Sequence, residues 1–538
     1  MSDDITDELS GIQLGDKRRN DRSCAMIKAL AAQPQASINA AFKGWSETIA
    51  AYRFLDNAKV TPGKILAPHR DATCRRIAEY PVVLIPQDTT ELDLTKHPPT
   101  DAKCLNKPER FGTYYHVQLA VTPDKLPLGI IGTESFSREP ETLGKSRERA
   151  SLPIEEKESL RWLTGYREAC RVAQQCPNTQ IVSIGDREAD IFDILLDAQQ
   201  RLPVEQQPPA PPSKKTSKKS STRPSSRQSP QTTESNRQTL DAQPLDAQTT
   251  ASSSRSPDTA EMPSCRSSDT AAPTPRRADY IIRSRVDRCT LEPDPSAGDA
   301  AYRKVRAEVA ASPLRGTYSA DLPATPKRAA RKATLEVRAA TVTIKPPHAR
   351  SQLAPVVTNV VLVEEIGGPD DDTRVSWLLL TTLPIDTLEN VLKVVSYYAA
   401  RWAIEIFFRT LKSGCRVEEL QLETMARFEN ALAFYTIIAW RVVFLTYLNR
   451  ECPELPCTAV FEDAEWKSTW TITRKEPLPS TPPSLGEFMK LVAELGGHNN
   501  RAKDSAPGPQ CIWQGLRRVM DYATAWLTFG PETTRSSV

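Results

Sequence analysis

The sequence predicts an α/β protein whose core is a mixed sheet with helices on both faces. Two observations carry that prediction. From Pro81 onward the hydrophobic pattern runs as three strands, a helix, a strand, a helix and a strand, and a wholly helical stretch precedes this block.

Taken in order, residues 1–77 read as helices. Asp16 stands where an N-cap belongs, before a periodic stretch ending at Ala32. "WSETIAAYRFLDN" and "TPGKILAPHRDATCRRIAEY" follow, the second with Pro62 in its first turn. Basic residues on the exposed sides suit a DNA-end-binding module; composition equally allows a plain helical scaffold. The strands "PVVLIP", "TYYHVQLAVT" and "LPLGIIGTESF" come next, then a helix near Pro153 to Gln175, the strand "TQIVSIG", a helix from Arg187 toward Ala198, and the strand "DYIIRSRV". Between the last two lies a tract rich in Pro, Ser, Thr and Gln, from about Pro203 to Arg277. It has too little apolar surface to offset its ordering entropy and is expected to be disordered. Residues 300–370 alternate apolar and polar positions between turn-forming residues, which predicts an all-β insertion. "VSWLLLTTLP" returns to strand, and a long helix starts near Thr387.

The chain of 538 residues is long enough for about three or four domains, and 39% apolar content suffices for buried cores. The net charge of +3 averages over basic clusters such as Lys17-Arg18-Arg19, Lys327-Arg328 and Arg331-Lys332, so a nucleic-acid partner is allowed. The eleven cysteines include no C-x-x-C pair and read as reduced thiols, and the acidic start "MSDDITDELS" lacks a signal-peptide pattern; both favour the cytoplasm. One apolar run, 431–448, approaches membrane-spanning length, but Arg441 at its centre costs about 2.5 to 3.5 kcal/mol on insertion scales. A buried core helix is expected there, with no membrane partner.

The stretch "YYAARWAIEIFFRTLKSGC" sets Tyr398, Arg401, Glu405 and Lys412 within an arc of about 80° on an ideal helix, while Leu392, Val395, Ala399, Ala403, Ile406 and Phe407 take a separate arc. One side packs; the other presents a carboxylate among cations. By itself that is also the pattern of a surface ion-pair face.

Other acids are placed to meet it. Asp88 follows the strand "PVVLIP" and Asp186 follows "TQIVSIG", so neighbouring strands would bring both to one rim of the sheet. Each has a structural alternative: Asp88 as a turn cap with Glu91 or Asp93 as rivals, and Asp186 as a helix N-cap. Three carboxylates without histidine suit a hard, oxygen-liganded cation, Mg2+ or Mn2+, and two such ions catalyse phosphoryl transfer without a general-base histidine.

"QDTTELDLT", "GDREADIFDIL" and the Y-x2-R-x3-E-x6-K pattern at 398–412 resemble the three catalytic blocks of bacterial cut-and-paste DDE transposases of insertion sequences, in the group with the YREK signature. "GWSETIAAYRFLDN" and "LGGHNNRAKDSAPGPQCIWQGLRRV" resemble that family's N-terminal and C-terminal blocks. The resemblance covers the chain apart from the low-complexity tract. It implies an RNase H-like core with a β insertion before the glutamate helix, and two metal ions held by Asp88, Asp186 and Glu405. Tyr398, Arg401 and Lys412 would hold phosphates of the transposon end. Arg283 matches a basic DNA-contacting position. Trp377 matches an aromatic that receives a flipped base, and it also reads as an ordinary buried strand residue.

On that resemblance the chain divides into a helical DNA-end-binding domain (1–77), a catalytic core (78–202), the disordered insertion (203–278), a core strand (279–299), the β insertion (300–370), the core with its glutamate helix (371–412) and a helical dimerisation domain (413–538). The implied reaction is a 3′ nick, a hairpin, its opening and strand transfer, carried out by a homodimer on DNA. A non-catalytic end-binding inhibitor or domesticated regulator is the alternative. A glycosidase would leave the Tyr-Arg-Glu-Lys face unexplained.

Overall fold

The computed structural model describes residues 5–42, 44–144, 152–200, 277–293, 302–322, 330–369, 374–501 and 506–530. The insertion expected at 203–278 lies outside these residues, save for Arg277 and Ala278.

The N-terminal region holds four helices: α1 (Lys17–Ala32), α2 (Ile38–Ala41), α3 (Trp45–Leu55) and α4 (Pro62–Ile77). Asp16 caps α1 through the backbone N–H of Arg18, and Pro62 opens α4 behind the Thr61 cap. A buried carboxylate holds the two side chains through which the region meets the rest. Glu8 receives the Nδ1–H of His69 at 2.5 Å and two hydrogen bonds from Arg76, whose guanidinium lies over the Trp440 ring. His69 Nε2 accepts the N–H of Ile130, so a neutral ring satisfies both partners.

The sheet begins with β1 (Val82–Asp93), β2 (Gly112–Val121) and β3 (Pro127–Phe136). Helix α5 (Leu160–Gln175) leads to β4 (Gln180–Gly185), and α6 (Phe192–Gln200) precedes β5 (Asp279–Arg283). Beyond these come β6 (Cys289–Pro293), β7 (Tyr302–Lys304), helix α7 (Val305–Ala310), β8 (Leu314–Leu322), β9 (Arg331–Ile344), β10 (Val356–Ile366) and β11 (Ser376–Thr381). In space the order is β3-β2-β1-β4-β5-β11-β10-β9-β6-β7, with β8 on β9. β1, β4 and β5 run parallel; β2 is antiparallel to β1, and β3 is antiparallel to β2.

Every residue of β2 is buried, so both faces of the sheet are covered there. Successive side chains point to opposite faces. Tyr115 bonds Thr436 on α10 (Met425–Glu451), while His116 meets Trp162 of α5 edge-on, which puts those two helices on opposite sides. Gly129 in β3 has a φ of +149°, and a Cβ there would fall 1.9 Å from Thr73 Oγ1. Glycine thus lets α4 lie directly on the strand.

The segment 300–370 differs from the all-β expectation. It contains α7, and β10 pairs through Asn359 to Glu364 with β11, so its strands extend the central sheet instead of forming a separate one. Local alternation identifies strands but not their partners.

The predicted long helix also differs: it is α8 (Leu388–Ala400), capped by Thr387, followed across Arg401 by α9 (Trp402–Arg409) and a π-helical turn at Thr410–Gly414. Helix α10 is long and apolar enough to cross a membrane, yet 94% of its apolar window is buried within the protein. The chain closes with α11 (Asp463–Arg474), α12 (Leu485–Leu495) and α13 (Pro509–Phe529), which pack on one another.

Candidate active site

The parallel pairing of β1 with β4 ends at Pro86 opposite Ile184, while β1 continues against β2 as far as Asp93. Asp88 therefore lies inside β1, paired with Val117, and not beyond its end as the sequence suggested. The strand persists because β2 supplies a partner after β4 turns away. Asp186 follows β4 directly and does cap: its Oδ1 accepts the N–H of Glu188 at 2.7 Å.

Glu405 comes to this rim from α9. Arg401 joins it to Asp88, with Nη1 at 2.9 Å from Asp88 Oδ2 and Nη2 at 2.6 Å from Glu405 Oε1. Burial pushes the Asp88 carboxyl up to about 6; Arg401 opposes the rise, and the nearby charges of Asp186 and Glu405 add to it. Glu91 and Asp93, the rival acids on β1, instead share Arg110 at 2.9 Å each.

Among the described residues no group of three or more His, Cys, Asp or Glu side chains is gathered closely enough to hold a metal ion. Arg401 stands between two of the acids. The residue types nevertheless suit a divalent cation: all three offer carboxylate oxygens, the donors that a hard ion takes, and the charges of Asp186 and Glu405 reach Asp88.

The other predicted residues divide into two groups. Tyr398 is buried beside Arg283, its hydroxyl pKa raised by burial, and packs edge-on against Trp377 at 5.2 Å. Arg283, whose own pKa burial lowers, donates to Ser376 O, so Tyr398, Arg283 and Trp377 form one cluster behind Arg401. Lys412 sits apart, in the π-helical turn, with Nζ 2.8 Å from Glu91 O and 3.3 Å from Glu418. The arc overstated how far Tyr398 faces solvent, because Tyr398 shares the buried stripe of α8 with Val391, Val394 and Val395. Ala399, assigned to the packing arc, is exposed, and Trp402 is 44% exposed.

Sequence reasoning missed a groove of about 470 Å3 next to this cluster, lined by Arg187, Arg283, Arg285 and Arg306 with Glu188 and Asp287. Its loop is shaped by Asp190, a fully buried carboxylate that accepts the N–H groups of Arg285 and Val286, the Ser284 hydroxyl and the Arg288 guanidinium. The paired arginines around "SRVDR" were the available signal, but which acid they meet depends on the fold.

Three stretches of the chain match known families. Residues 1–60 match the family described as transposase DNA-binding, residues 215–441 match the transposase DDE domain, and residues 437–526 match the transposase Tn5 dimerisation domain. The DDE match includes Glu405 but starts after Asp88 and Asp186. DNA binding, metal-dependent DNA cleavage and homodimer formation are thus assigned to successive parts of one chain. The chain belongs to the DDE transposases of insertion sequences.

Proposed function

We propose that this transposase belongs to the YREK group and cuts its element out through nicking, hairpin formation and strand transfer, using Asp88, Asp186 and Glu405. The observation that carries this reading is the Arg401 bridge, which places Glu405 against Asp88 at the rim where Asp186 ends the neighbouring parallel strand. The order β3-β2-β1-β4-β5, with β2 antiparallel to β1, supports an RNase H-like core.

Two Mg2+ ions, or Mn2+ in their place, are proposed as the cofactor; when bound they supply an activated oxygen nucleophile and stabilise the leaving oxygen. The three carboxylates hold them. Tyr398, Arg401 and Lys412 hold phosphates of the transposon end, Arg283 contacts the DNA, and Trp377 offers an aromatic face to an unstacked base. A bound DNA backbone gives Arg401 an alternative anionic partner, releasing Asp88 and Glu405. Residues 1–77 bind the end, and 413–538 hold the dimer. The protein acts in the cytoplasm.

Arg401 between the acids also favours a second reading, an end-binding regulator that does not cut. Linear DNA ending in the element's inverted repeats separates the two. With Mg2+ the transposase produces nicked and then hairpinned ends, resolved on a denaturing gel. Specific retention of the ends with no cut product would establish the regulator.

A further inference from the structure

Arg161, on α5, connects the two aspartate-bearing segments beyond the point where their strands pair. Its side chain is only 9% exposed. Nε donates to Thr89 Oγ1 at 2.9 Å, Nη2 donates to Glu188 Oε2 at 2.7 Å, and Nη1 donates to Glu158 O at 2.7 Å. The guanidinium is held further by the Phe136 and Trp162 rings, at 5.2 and 5.5 Å from their centroids.

The two residues it grips are those whose backbone amides fix the acids. Thr89 N–H donates to Asp88 Oδ1 at 2.8 Å, and Glu188 N–H donates to Asp186 Oδ1 at 2.7 Å. One oxygen of each carboxylate is thereby anchored. For Asp88 the other oxygen is the one turned toward Arg401. Thr89 is braced from behind by His116, which continues through Gln87 to Ser183 on β4. The strands stop pairing at Pro86 and Ile184, so beyond that point no ladder hydrogen bond sets the distance between the two segments.

We propose that Arg161 is a positioning residue that sets the separation and orientation of Asp88 and Asp186 for metal binding. It touches neither carboxylate and acts through Thr89 and Glu188. A planar guanidinium can make both bonds at once; an ammonium cannot span them. The proposal rests on Asp88 and Asp186 being the ligands.

The test is Mn2+ binding by titration calorimetry on the DNA-free full chain at pH 8, for Arg161→Lys, Glu188→Gln, both together, and Asp186→Asn. Glu188 is 58% exposed, so Glu188→Gln removes the carboxylate charge that holds Arg161 without disturbing the core. Outer-shell partners of metal ligands typically change affinity by about 10- to 100-fold. Arg161→Lys and Glu188→Gln are each expected to weaken Mn2+ by about tenfold. The double variant should be no weaker than Arg161→Lys, and the Mn2+ needed for half-maximal cleavage should rise in step while end binding holds. Parental Mn2+ affinity in folded Arg161→Lys and Glu188→Gln, with Asp186→Asn defective, would overturn the positioning role alone. Parental affinity in Asp186→Asn would overturn the ligand assignment and the proposal with it.

Discussion

Arg401 Nη1 stands 2.9 Å from Asp88 Oδ2, and the same guanidinium reaches Glu405 at 2.6 Å. A cation fixed between two acids competes with a divalent ion for the same oxygens. Arg401→Ala should therefore raise Mn2+ affinity in the DNA-free protein at pH 8, where Asp88 is ionised, and weaken end binding. Weaker Mn2+ binding in the variant would show that Arg401 supports the acids instead of competing for them.

Lys412 lies away from that bridge, on Glu91 O and Glu418. If it turns to a phosphate of the transposon end, Lys412→Ala should weaken binding uniformly across end sequences. The slope of log K against log salt should fall by about 1. An unchanged slope would leave Lys412 as a purely structural contact.

Acid should destabilise the fold in a defined window. Burial holds His116 at about 3, below the ordinary value near 6.5, so the unfolded chain takes up a proton that the folded chain refuses. Its contribution is complete above about pH 6.5 and is lost as pH falls toward 3. His69, also lowered by burial, acts in the same direction. Glu8 adds to this below about pH 4.5: burial would raise its pKa, but His69 and Arg76 prevail and hold it at about 2. Asp88 works oppositely, because its folded value of about 6 favours the protonated fold. Melting temperatures from pH 7 to 4 should fall, and His116→Gln should flatten that decline. A profile rising steadily toward pH 4 would contradict the buried neutral histidines.

Gly165 on α5 is expected to tolerate no side chain. A Cβ there would lie 2.1 Å from Gln87 Oε1 and 2.9 Å from Gln118 Nε2. Gly165→Ala should cost about 1–3 kcal/mol by overpacking and displace the helix that carries Arg161. Denaturant unfolding measures this, and parental stability would mean that α5 can shift freely.

The strands were legible because period-two patterning is local: 127–136 and 376–381 fall within the quoted runs, and Asp16, Pro62 and Thr387 mark helix starts as their chemistry requires. Pairing was less so. The extension of β1 past Asp88 depends on β2, and the attachment of β10 to β11 depends on a partner strand that alternation does not name. At the site, Glu405 was readable as an acid beside cations and Asp88 as an acid after a strand, but the burial of Tyr398 on the stripe of Val391, Val394 and Val395 was not read. Arg161 was invisible for a different reason: its partners, Thr89 and Glu188, lie on other elements, and only the packing of α5 on the sheet brings them within reach.

The most direct measurement is cleavage of linear DNA carrying the inverted repeats that flank this gene, with Mg2+, by the parent protein and by Glu405→Ala. Loss of one group that stabilises a transition-state charge typically lowers rates by about 10²–10³-fold, and a lost metal ligand should do no less. The account predicts nicks and hairpins from the parent, a loss of at least that size in the variant, and equal end binding by both. Equal cutting by parent and variant would remove Glu405 from the site, and binding without cutting by either would make this chain a regulator.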